Sequence, residues 1–113
     1  MIASFPDRRF QLWEYKVSHG SLLVRSPRGH EVEHNIDLMF AGLEYLSSPR
    51  HLRGLELDHG DQSDIDTAVA ALGREAVPER VFVLTSEGQR HLVVAAGYQI
   101  REHHDDIFDS PFA

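Results

Sequence analysis

Arg80-Val81-Phe82-Val83-Leu84-Thr85-Ser86-Glu87-Gly88-Gln89-Arg90-His91-Leu92-Val93-Val94-Ala95-Ala96 sets two apolar, β-branched runs on either side of a short polar turn. Runs of that kind, separated by a turn that contains Gly, predict a β-hairpin. Pairing Ser86 with Gln89 puts Leu84 opposite His91 and Phe82 opposite Val93. Both faces of each strand are apolar, so the hairpin belongs in the middle of a sheet, covered on both sides. His91 reads as a core histidine of that sheet.

A second hairpin is predicted over residues 10–25. Phe10 to Val17 is an alternating run, Ser18-His19-Gly20-Ser21 is a turn, and Leu22-Leu23-Val24-Arg25 returns. A two-residue turn at His19-Gly20 places Glu14 opposite Arg25, an opposite-charge cross-strand pair. In this register Trp13 and Tyr15 share one face. They are candidate interaction residues, because aromatic side chains dominate binding hot spots. Residues 1–7, punctuated by Pro6, read as an unstructured lead-in. Residues 26–34 read as a loop.

Between the hairpins, residues 36–46 fit a strand, with Ile36, Leu38 and Phe40 alternating and Gly42 marking a bulge. A helix with Asn35 as N-cap is the competing template. Leu52 to Asp58 reads as a short strand with one wet face. Residues 63–73 form the predicted helix: Ile65, Ala68, Val69 and Leu72 follow the i, i+3, i+4, i+7 pattern, with Ser63 as N-cap and Gly73 as the stop. The fold class expected is therefore α+β, a mostly antiparallel sheet of five or six strands built from hairpins 10–25 and 80–98, with helix 63–73 packed on a face.

The chain has 113 residues, a length that fits a single domain over 1–113. It has no cysteine, which excludes disulfides, thiolate metal sites and a cysteine nucleophile. Its formal net charge of -7 disfavours a nucleic-acid partner. Arg8-Arg9 and Arg50-His51-Leu52-Arg53 still leave room for a local basic patch. No apolar run approaches the ~20 residues of a membrane span, and the N-terminus lacks the pattern of a signal peptide, so no membrane is expected and the location read is cytoplasmic. Ten Arg stand against one Lys, a bias of GC-rich bacterial genomes.

The sharpest literal motif is His30-Glu31-Val32-Glu33-His34, the H-E-x-x-H pattern of zinc proteases. That chemistry requires a helix, so that both His share a face and the Glu activates a metal-bound water. Pro27 and Gly29 just before it, and Val32 within it, argue against a helix here. His103-His104-Asp105-Asp106 offers imidazole and carboxylate donors, but consecutive residues point in different directions. His30, His34, His103, His104 and Asp106 are thus weak metal candidates. No metal or other cofactor is expected. Asp58, His59, Asp61 and Asp64 read as turn and cap chemistry. Nucleophile elbow, P-loop and dinucleotide fingerprints are absent, so no catalytic residue is singled out.

The tail over 101–113 carries Ile107, Phe108 and Phe112. That apolar content predicts docking on the body or on a partner, and these residues join Trp13 and Tyr15 as interaction candidates. The functional expectation is a non-catalytic protein-binding module that self-associates as a homodimer or engages another protein. The alternatives are a small-ligand-binding domain and a small, metal-assisted His/Asp enzyme.

Overall fold

The computed structural model describes residues 1–29, 32–106 and 108–112. Among them lie eight strands and one α-helix. The strands are β1 (Ala3–Lys16), β2 (Ser21–Ser26), β3 (Asn35–Ala41), β4 (Tyr45–Ser47), β5 (His51–His59), β6 (Val81–Ser86), β7 (Gln89–Val94) and β8 (Gly97–His103). The helix, α1 (Gln62–Leu72), falls between β5 and β6. All eight strands join one antiparallel sheet in the order β4-β7-β6-β5-β1-β2-β3-β8. The fold is α+β and antiparallel as expected, with more strands than the five or six read from sequence.

The hairpin β6–β7 has the predicted register: Phe82 faces Val93, Leu84 faces His91 and Ser86 faces Gln89. Its two turn residues, Glu87 and Gly88, both take positive φ (51° and 75°), which matches the right-handed twist of the flanking strands. Residues 36–46 are strand, broken once. Ala41 pairs with Gly97 and Tyr45 with Val94, so three residues on one side oppose two on the other. Gly42 at φ 63° supplies this bulge. Two backbone bonds carry the ladder across it, Ala96 N–H to Ala41 O at 2.8 Å and Glu44 N–H to Val94 O at 2.7 Å.

This continuity sets the architecture. β3–β4 and β7–β8 form one bent two-stranded ribbon, with β2 on one side of it and β6 on the other. The sheet therefore curls into a half-open barrel. The Phe40 and Phe82 rings, from β3 and β6, meet inside it at 5.8 Å. Phe10, Val24, Leu38, Leu55, Leu57 and Leu84 complete the interior. α1 lies outside, where Ala68 packs on Val81 and Val94.

Three sequence expectations change. Residues 3–7 belong to β1, with Ala3 opposite Leu57 and Phe5 opposite Leu55, because Pro6 sits in a bulge of the ladder where its missing N–H costs no bond. The first hairpin closes through a four-residue loop, Lys16 facing Ser21, with a 3-10 turn over Val17–His19. A second bulge at Trp13 then places Arg25 opposite Gln11 and not Glu14. The helix begins one residue early. Asp61 is the N-cap and forms a reciprocal capping box with Asp64, while Gly73 closes the C-terminus in the left-handed conformation.

Candidate interaction surface

Residues Leu22, Val24, Ile36, Leu38 and Phe40 point into the barrel, so Arg25, Asn35 and Asp37 project from the opposite face. All three are nonetheless buried. Arg25 forks onto Asp37 with bonds of 2.7 and 3.0 Å. His103, from β8, places Nε2 2.7 Å from the same carboxylate. Nδ1 of His103 accepts the Asp105 N–H at 3.2 Å, which makes Nε2 the protonated nitrogen that donates to Asp37. Trp13 lies under the Arg25 guanidinium, 5.4 Å from ring centre to Cζ.

The C-terminal tail covers this cluster. Asn35 donates to Asp105 O at 2.9 Å, and Arg25 reaches Asp109 O at 3.4 Å. No buried side-chain nitrogen or oxygen is left without a partner among the described residues. Tail and cluster thus account for each other: the chain end excludes water from a charge pair that is costly to bury alone.

Among the described residues β8 pairs with β3 and with no other strand, so along 97–103 alternate N–H and C=O groups face outward. The strand is flanked by aromatic surface. Tyr98 is 42% exposed and stacks edge-on against Phe82 at 5.5 Å. Phe112 comes back along the sheet to line a shallow cleft with Tyr98, Met39 and Pro111. Phe108 stands 84% exposed in the tail between them. Tyr15 is also exposed, in a separate groove beside Leu43 and Leu46. Ile107 lies outside the described residues.

The weak metal candidates separate. His30 is outside the described residues, and Val32 forms an isolated bridge to Gly29, not a helical turn. His34 lies 3.5 Å from Glu102 and edge-on to His104, with 6.3 Å between ring centres. His104 Nδ1 is held 2.9 Å from Glu33 O. Asp106 caps the Phe108 N–H at 2.9 Å. Among the described residues no three His, Asp or Glu side chains converge in a metal-binding group.

Two features escaped the sequence reading. One is the Arg25–Asp37 pair, whose signal was a single charge set in each of two apolar strand runs. The other is a cleft that gathers Arg9, His51 and Arg53, all within the basic segments noted in the sequence, with Pro49, Glu87, Gln89 and His91. No protein-family model matches this chain, and no curated protein or solved structure is significantly similar to it.

Proposed function

We propose that this protein is a self-associating interaction module whose β8 edge pairs antiparallel with the β8 edge of a second copy. The observation that carries the reading is the outer side of residues 97–103, with which no strand among the described residues pairs. Strand addition at such an edge gains main-chain bonds along its whole length, and side chains fix the register. A two-fold axis at Ile100 sets Ile100 beside its equivalent. It also sets Gln99 opposite Arg101 of the second copy and Tyr98 opposite Glu102 of the second copy. No like charges meet. A two-fold at Arg101 would oppose two guanidinium groups and is disfavoured. Tyr98, Phe112 and Phe108 supply aromatic area beside the seam. We infer a bacterial cytoplasmic setting from a chain without cysteine and with Arg in place of Lys.

Light scattering on the full chain over a concentration series tests this. The expected result is a dimer that strengthens with added salt, because each copy carries a formal charge of -7. Tyr98→Asp would face Glu102 of the second copy and should give monomers. Adding Glu102→Lys to that variant should restore the dimer. A wild-type monomer at every concentration, or a Tyr98→Asp dimer as tight as wild type, overturns the proposal.

A further inference from the structure

Arg25 pairs with Asp37 across β2–β3, and Met39 pairs with Gln99 across β3–β8. Alternation therefore puts Ser21, Met39 and Gln99 on the same outward face as Arg25 and Asp37. The C-terminal tail lies along this face. Among the described residues, 104–112 pair with no strand. The body holds the tail by its main chain instead. Arg28 bonds to His104 O at 3.0 Å, Asn35 to Asp105 O at 2.9 Å and Arg25 to Asp109 O at 3.4 Å. The side chains of 104–106 and 108–110 are exposed, while Pro111 and Phe112 are half-buried. These two sit in a cleft of about 380 Å³ that Ser21, Met39 and Gln99 line.

Every peptide carries carbonyl oxygens, so the three bonds do not depend on which residues present them. The selective contact is the Pro-Phe pair in the cleft. Main-chain bonds for affinity and a pocket for a few side chains are the means by which folded domains recognise extended peptides. The tail thus occupies the outer face as a ligand does, tethered to its own receptor.

From this geometry we propose that the outer face of β2 and β3 is a peptide-binding groove, held closed by the tail, whose external ligand is an extended segment of another protein carrying a Pro-aromatic pair. The incoming segment takes over the carbonyl bonds and the cleft, so the Arg25–Asp37 pair is covered again after the exchange. A tethered ligand acts at a local concentration on the order of a millimolar, so the groove opens only to a partner that competes at that level. The groove lies on a face of the sheet and the β8 seam along its edge, so this site does not rest on self-association.

Calorimetry of the full chain with a capped synthetic peptide of the sequence Phe-Asp-Ser-Pro-Phe, that of residues 108–112, tests the groove. Phe112→Ala weakens the internal ligand. That variant should bind the peptide at least about tenfold more tightly than wild type, because apparent affinity scales with the open fraction. A peptide with Ala in place of its last Phe should bind the variant at least about tenfold more weakly. Trp13, the only tryptophan, lies under Arg25 and supplies a second readout. Its emission should shift in Phe112→Ala and return toward the wild-type value as the peptide is added. Equal affinity of wild type and variant, no binding to the variant at millimolar peptide, or indifference to the last Phe of the peptide overturns the proposal. So does a Phe112→Ala chain that fails to fold, because the tail would then be part of the structure and not a ligand of it.

Discussion

Asp37 is fully buried and accepts from Arg25 twice and from His103 once. Removing its charge takes the bidentate ion pair from the buried Arg25 guanidinium. Asp37→Asn is therefore expected to cost about 3 to 5 kcal/mol, read as a fall in the urea midpoint. Arg101→Gln breaks an exposed i,i+4 pair with Asp105 and should cost no more than about 0.5 kcal/mol in the same assay. An equal loss in both variants would show that burial does not govern the Asp37 cluster. At this scale the sequence was only partly legible. Arg25 was recognisable as a charge in need of a partner, but Glu14 was the wrong one. A single bulged residue, Trp13, shifts the ladder and hands Arg25 to the neighbouring strand. Alternation of residue type along one strand does not reveal such a slip.

The helix depends on its first turn. Asp61 accepts the Asp64 backbone N–H, and that bond is the main cause holding its carboxyl below the usual carboxylate value; the Ser63 hydroxyl and Arg90 act in the same direction. A carboxylate depressed in the folded state stabilises it above the unfolded value, near 3.8, and loses that contribution as pH falls through the lowered folded value. Wild-type helical circular dichroism should accordingly decline below about pH 3.8. Asp61→Asn keeps an effective N-cap that does not titrate, so its acid limb should be flatter. Identical acid titrations of the two proteins would remove Asp61 as the cause. Elements with strong local patterns were readable: the β6–β7 hairpin to its register, α1 to within one residue, and the strand over 36–46 with its Gly42 bulge. β8 was not, because its alternation is weak and it adds little beyond Ile100 to the core. Its partner, β3, is remote in sequence.

For the whole molecule, eight histidines make the charge steeply dependent on pH, since protonating all of them moves the formal value from -7 to +1. Solubility should pass through a minimum near pH 5.5, the sequence pI, where mutual repulsion vanishes. A solubility scan without that minimum would mean that surface charge does not control association. The curling of the sheet was the least legible property, because it is set by pairings between distant segments and not by any local run. Its consequence appears during synthesis on the ribosome. β1, β2 and β3 can pair as soon as residue 41 has emerged, but the outer edge of β3 waits for residues 97–103. Until then the nascent chain presents an unprotected strand edge and the apolar side chains of Ile36, Leu38 and Phe40. Slow translation between those points lengthens the interval in which neighbouring nascent chains can capture one another, so codon choice over residues 42–96 bears on yield as directly as any contact in the finished fold.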